Sequence, residues 1–146
     1  MGDAMTLTVK YVHPNHIPLL WPQVQKMIEK ALEHSAGEYT AEQLKVMLMS
    51  GAQSLLVAEG EDKKIYGAAT ISFENYPNDR IAFITSIGGK MLADKDIWKQ
   101  FEDWCVANSC TKARGAAFEA VARLWHKRFG MEQIYVIVEK SLRRIE

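Results

Sequence analysis

Residues 6–12 alternate, with Leu7, Val9 and Tyr11 on one side and Thr6, Thr8 and Lys10 on the other. This period of two predicts a half-buried strand, which Pro14 ends. From Ile17 to Leu32 the period changes: Leu20, Val24, Met27, Ile28, Ala31 and Leu32 recur three and four apart. That is the spacing of an amphipathic helix, with Pro22 near its first turn. Gly37 closes the segment. Thr40 and Gln43 have capping-box spacing, so a second helix starts there, turns Leu44, Met47 and Leu48 inward, and stops at Gly51.

Three strands follow, over residues 54–59, 65–74 and 80–87. A charged turn, Glu61-Asp62-Lys63-Lys64, and a Tyr76-Pro77-Asn78-Asp79 turn separate them, and Gly88-Gly89 ends the third. Asp94 or Asp96 caps a helix carrying Ile97, Phe101, Trp104, Cys105 and Ala107. Residues 113–119 form a short buried strand and residues 121–129 a helix stopped by Gly130. Residues 133–139 are a last strand, with Ile134, Val136 and Val138 opposite Tyr135 and Ile137. The order β-α-α-β-β-β-α-β-α-β predicts an α/β fold, a mixed central sheet with helices on both faces. Nothing in residues 1–146 reads as a repeat or a dividing linker, so one domain is expected. Residues 1–5 read as a disordered start, with Gly2-Asp3-Ala4 a remnant before a native Met5.

Composition narrows the function. Lys plus Arg and Asp plus Glu stand at 18 each, which argues against nucleic acid as a partner, since that binding rests on a basic surface. No apolar run approaches the roughly 20 residues a bilayer span needs. The N-terminus lacks the basic start and apolar stretch of a secretion signal, so a cytoplasmic location and no membrane partner are expected. Cys105 and Cys110 lack zinc-pair spacing, and His13 and His16 have no third ligand nearby in sequence, so no metal is expected. Arg123, Lys127 and Arg128, with Arg143 and Arg144, make the C-terminal part the most basic, as a solvated helix and tail or as a phosphate or nucleic-acid patch. Trp21, Trp98, Trp104 and Trp125 read as packing residues. Trp98 and Trp104, six apart on one helix, cannot share a face, which brings one of them near the surface.

Near the C-terminus, Glu119-Ala120-Val121-Ala122-Arg123-Leu124-Trp125-His126-Lys127-Arg128-Phe129-Gly130-Met131 resembles the late helix of GCN5-related N-acetyltransferases. In that family an Asn, an Ala three on and a Tyr-x-x-x-Gly-Phe precede the last strand. Ala122 and Gly130 match; Glu119, His126 and Met131 stand at the Asn, Tyr and Phe positions. Several short motifs are similar to acetyltransferase-like proteins encoded in phage and prophage genomes. These are Leu20-Trp21-Pro22, Gly51 to Leu55, Tyr76-Pro77, Ile87-Gly88-Gly89 and Glu102-Asp103-Trp104, in that order over residues 6–142.

The resemblance implies acyl transfer from acetyl-CoA to an amine that the sequence does not identify. The family's pyrophosphate turn, Gln/Arg-x-x-Gly-x-Gly/Ala, corresponds here to residues 86–96. Ile87, Gly88, Gly89, Lys90 and Lys95 are its cofactor candidates, with backbone N–H groups and lysines facing phosphate. No Gln or Arg begins the motif, and Asp94 and Asp96 place negative charge at the helix start. The resemblance also implies a Glu base on the central strands and an acid at the Tyr position, which points to Glu74 and His126. The degenerate turn favours a second reading, a non-catalytic phage virion or assembly protein using the fold as a binding module. A homodimer through sheet edges or exposed tryptophans is compatible with either. A fourth strand that bulges and splays from the fifth, freeing backbone groups, would favour cofactor binding.

Overall fold

A computed structural model describes residues 5–143. The remnant at residues 2–4 and the basic Arg144 lie outside the described residues. The elements are β1 (Leu7–Val12), α1 (Ile17–Leu32), α2 (Ala41–Met49), β2 (Ser54–Gly60), β3 (Ile65–Asn75), β4 (Arg80–Gly89), α3 (Lys95–Ala107), β5 (Lys112–Gly115) and α4 (Glu119–Phe129). Short 3-10 turns at Pro14–His16 and Lys90–Leu92 precede α1 and α3. The strands lie in the sheet in chain order. Antiparallel pairing joins β1 through β4, and β5 runs parallel to β4. This is the mixed α/β sheet expected from the pattern.

Strand alternation decides which helices cover which face. Leu55, Val57 and Ala68 point toward α1 and α2, where they meet Ile17, Trp21, Val24, Ile28, Leu44 and Leu48. Leu56, Ala69, Ile71, Ala82 and Ile84 point the other way, toward Ile97, Trp98, Phe101 and Cys105 of α3 and Trp125 of α4. Because both faces are covered, the central strands read as nearly continuous apolar runs. Trp98 organises the second core. Its ring stands edge-on to Phe101, stacks on Phe129 at 4.1 Å and meets Trp125 at 6.0 Å. Its Nε1 donates to the Met91 carbonyl at 2.9 Å. Trp104, on another face of α3, is partly exposed and lies against Tyr11 and Phe73.

Local chemistry sets the helix ends. The Thr40 hydroxyl accepts from Gln43 N at 3.1 Å, and the Gln43 side chain accepts from Thr40 N at 2.9 Å, completing the capping box. At α3 the cap is Asp94, whose Oδ1 accepts from Ile97 N at 3.0 Å. Helix α1 continues through Pro22, which lies on its exposed side.

The C-terminal part departs from the pattern. β5 ends at Gly115 rather than at residue 119, and α4 starts two residues earlier than its periodicity predicts. Residues 133–139, expected as a strand, pair with nothing among the described residues. Their periodicity is strand-like, but a strand also needs a partner. Among the described residues the sheet edge beside them is β5, four residues long. No helix among the described residues is long and apolar enough to cross a membrane.

Candidate active site

β4 and β5 are tied at one end, and β5 stops at Gly115 while β4 runs on to Gly89. At the tied end Arg80 N donates to Thr111 Oγ1 at 3.1 Å, Thr111 N donates to the Arg80 carbonyl at 2.8 Å, and Arg80 Nε donates to the Asn108 carbonyl at 2.9 Å. Asp79 adds an ion pair to Lys112 at 3.1 Å. Hydrogen bonds from Lys112 and then Thr111 hold the Asp79 carboxyl below its usual range. Pairing then runs from Ile81–Lys112 to Ile84–Gly115 and stops. β4 continues through residues 85–89 with β3 as its one strand partner, so its β5-side backbone edge is open to other hydrogen bonds.

The stretch of β4 that runs past β5 begins at a bulge. Thr70 of β3 pairs with Ser86 and Ile71 pairs with Ile84, which leaves Thr85 as an extra residue in β4. The extra residue reverses the alternation beyond it. Ile87 therefore joins Ile84 on the α3 side, beside Ala69, Met91 and Trp98, instead of facing α1. On the other side four polar side chains meet. Thr70 Oγ1 lies 2.7 Å from Thr85 Oγ1 and 2.6 Å from Ser86 Oγ, and Thr85 Oγ1 lies 2.6 Å from Gln53 Oε1. Thr70, Ser86 and Gln53 are buried. Thr70→Val keeps the shape but leaves the buried Ser86 hydroxyl without its partner, while Thr85 keeps Gln53 Oε1, so it is expected to lower the unfolding free energy by about 1–3 kcal/mol. Urea denaturation checks this; an unchanged midpoint would mean that the hydroxyls do not depend on one another.

The glycine pair serves the protein's own packing. A Cβ on Gly88 would stand 3.2 Å from the Met27 carbonyl oxygen of α1, and one on Gly89 only 2.4 Å from the Tyr66 carbonyl oxygen of β3. Lys90 follows, exposed, and Met91 is buried. Beyond the turn, the start of α3 faces α4 across an open cavity of about 330 Å³ lined by Lys95, Leu124, Lys127 and Arg128. Among the described residues none of these three cations is in an ion pair, whereas Lys99 is held by Asp103 at 2.6 Å. The Asp94 carboxylate is turned onto Ile97 N, and Asp96 reaches Gln100 at 3.4 Å. Lys95 at the start of α3 and Lys127 and Arg128 in the last turn of α4 thus line one cavity, with Asp94 and Asp96 also at the start of α3.

The expected site residues divide. Ile87, Gly88, Gly89, Lys90 and Lys95 lie along the end of β4 and the start of α3. α4 is fastened there by Trp125, whose Nε1 donates to the Leu92 carbonyl at 3.2 Å. His126 is exposed on that helix, with Nδ1 3.0 Å from the Met131 carbonyl. A carbonyl only accepts, so Nδ1 carries the hydrogen and Nε2 is the atom left for outside chemistry. Glu74 sits at the opposite end of β3, paired across to Ile81, with the Tyr76 hydroxyl 3.3 Å away. Six residues separate it from Ala68, the partner of Gly88, which is roughly 20 Å along the strand.

Sequence reasoning missed the Gln53, Thr70, Thr85 and Ser86 cluster. Its signal was present: hydroxyl residues inside otherwise apolar strands. Lys127 and Arg128, read as a solvated helix or as an anion patch, join Lys95 only through the packing of α4 beside α3. Among the described residues no three His, Cys, Asp or Glu side chains could hold a metal ion. Cys105 and Cys110 are free, and burial pushes the Cys105 thiol up to about 12, which leaves it unreactive.

No family model and no curated protein matches the chain. Solved structures do. An aminoglycoside N-acetyltransferase, AAC(6')-Iy in complex with CoA, superposes with a TM-score of 0.69 at 11% identity, covering 99% of both chains. A probable acetyltransferase gives 0.67 at 12% identity over 95% of this chain and 99% of its own. A predicted acetyltransferase from Clostridium acetobutylicum with acetyl-CoA gives 0.63 at 14% identity, over 94% and 97%. At these identities the likeness is one of architecture, and the five-stranded sheet with α1 and α2 on one face and α3 and α4 on the other is the fold of the GCN5-related N-acetyltransferases.

Proposed function

We propose that the protein is an acyl-CoA-dependent N-acyltransferase that uses acetyl-CoA and a small or protein-borne amine. The observation that carries this reading is the end of β4, bulged at Thr85 and running past β5 for residues 85–89. An open strand edge is what an amide-containing arm can join by backbone hydrogen bonds. The cavity of Lys95, Lys127 and Arg128 lies beyond that edge and fits the phosphates of the same molecule. The CoA thioester supplies an activated acyl group. Transfer forms a C–N bond to the amine and breaks the C–S bond; the amine gives up a proton to a base, and the departing thiolate takes one. In this reading His126 Nε2 holds such a proton, its Nδ1 being committed to the Met131 carbonyl. Glu74 serves as base only for an amine that reaches the Asn75 end of the sheet.

Titration calorimetry and thermal shift with acetyl-CoA test this reading. A ligand at 100 times its dissociation constant adds about 2.7 kcal/mol of stability. Lys127→Glu with Arg128→Glu is expected to weaken acetyl-CoA binding about tenfold or more, about 1.4 kcal/mol. The same pair should leave the binding of pantetheine, which lacks the phosphates, unchanged. Absence of stabilisation at saturating acetyl-CoA would sink the enzyme reading and leave the fold as a non-catalytic binding module, the role expected of a phage assembly protein.

A further inference from the structure

Helix α3 ends in a chain reversal made without glycine. Ser109, just beyond the C-cap Asn108, has φ +65°, in the left-handed region that serine rarely enters. Two backbone bonds close the reversal: Ser109 N donates to the Val106 carbonyl at 2.9 Å, and Cys110 N donates to the Cys105 carbonyl at 2.9 Å. Asn108 Nδ2 adds a bond to the Trp104 carbonyl at 2.9 Å. This nested pair is the Schellman motif. It folds the residue after the reversal back onto the helix residue five before it, so that their side chains meet. Here both residues are cysteines. Cys105 lies in the core beneath α3, and Cys110, half-buried, packs against that core. After burial, the nearness of Cys110 is the next cause that raises the Cys105 pKa.

Buried and held as a thiol, Cys105 is inert toward reagents in solution. Cys110 is the sulfur that such reagents meet, and the cap keeps Cys105 beside it. We propose that Cys105 and Cys110 form a modification site, a dithiol that closes to a disulfide across the α3 cap when a small disulfide of the glutathione class reaches Cys110. The Cys110 thiolate attacks one sulfur of that molecule and releases the other as a thiolate, which takes up the Cys110 proton. Cys105 then attacks the Cys110 sulfur of the mixed disulfide, and its proton goes to the second departing thiolate. One external S–S bond is reduced to two thiols and one internal S–S bond forms. The second step is favoured because the cap holds both sulfurs together before they react. The new bond lies beside the Arg80 tie, where Arg80 Nε donates to the Asn108 carbonyl and Thr111 N to the Arg80 carbonyl, on either side of Cys110. Closing it therefore fixes the connection from α3 to β5, on which the tied end of β4 and β5 rests. The inference is independent of whether acetyl-CoA binds.

The test equilibrates the full chain with oxidised and reduced glutathione, quenches with acid and digests with trypsin. Both cysteines fall in the peptide 100–112, since no Lys or Arg lies between Lys99 and Lys112. That peptide is expected to be lighter by its two thiol hydrogens and to resist iodoacetamide. Across a series of glutathione ratios the folded chain should favour the closed form about tenfold or more over the same chain in denaturing urea, because only the fold supplies the cap. By linkage the oxidised chain is then more stable than the reduced one by the same factor, about 1.4 kcal/mol. Ser109→Val, whose branched side chain opposes positive φ, should bring the folded preference toward that in urea, and Ser109→Gly should keep it. A peptide carrying glutathione on Cys110 with Cys105 still a thiol would overturn the proposal. So would an equal preference in the folded chain and in urea, or a bond formed only between chains.

Discussion

Trp98→Ala is expected to lower the unfolding free energy by about 3–5 kcal/mol, the range for removing a fully buried large aromatic. The indole is 3% exposed and contacts α4 through Trp125 and Phe129 as well as Phe101 of its own helix. Removing it opens a void that three aromatic rings would have to collapse into, and rigid rings do so poorly. The loss also leaves the Met91 carbonyl without the Trp98 Nε1 donor. Trp98→Phe separates the two terms: it keeps most of the ring area and loses the N–H, and should cost about 1–2 kcal/mol. Urea denaturation of both variants provides the comparison. A loss under about 1 kcal/mol for Trp98→Ala would show that α3 and α4 are not packed through this ring.

Gly89→Ala is expected to be the second severe change, and for a different reason. Gly89 has φ +64° and ψ −145°, in territory that is essentially glycine's alone, at about 1–3 kcal/mol for another residue. The added methyl would also lie 2.4 Å from the Tyr66 carbonyl oxygen and 2.9 Å from Gly67 Cα. Both are backbone atoms of β3, so no side-chain rotation relieves the clash. The β3–β4 ladder must part locally, and a total loss of about 3 kcal/mol or more follows. Gly37→Ala is the control. It too has positive φ, at +88°, but a Cβ there meets nothing within 4 Å, so only the conformational term of about 1 kcal/mol remains. Comparable melting temperatures for the two variants would contradict this assignment.

These two residues also mark how far the sequence could be read. Every helix and the first four strands were legible, because Leu7-Val9 and Leu44-Leu48 report their periods directly and the Thr40–Gln43 cap is local. Gly88-Gly89 was legible as a strand end but not as a close approach, since the atoms that require glycine belong to Met27 and Tyr66, far away in sequence. The bulge at Thr85 was invisible for a similar reason: an extra residue in a strand exists only relative to its partner, β3. The C-terminal run shows the converse. Its strand pattern is plain in the sequence, yet it pairs with nothing among the described residues, because composition specifies a strand without specifying its neighbour.

The polar cluster at the bulge has a built-in direction. Thr85 has one hydroxyl hydrogen, and two of its neighbours, Gln53 Oε1 and the Thr70 carbonyl at 3.0 Å, can only accept. Gln53 presents its oxygen there because its Nε2 is turned toward Met47 Sδ at 3.6 Å. The 2.7 Å contact between Thr85 and Thr70 must therefore use the hydrogen of Thr70, and the 2.6 Å contact between Thr70 and Ser86 must use that of Ser86. Protons are aligned one way, from Ser86 through Thr70 and Thr85 to Gln53. Ser86 Oγ, at the head of the row, is left with lone pairs alone, so a group that meets this cluster from the β4 side is recognised only if it brings its own hydrogen.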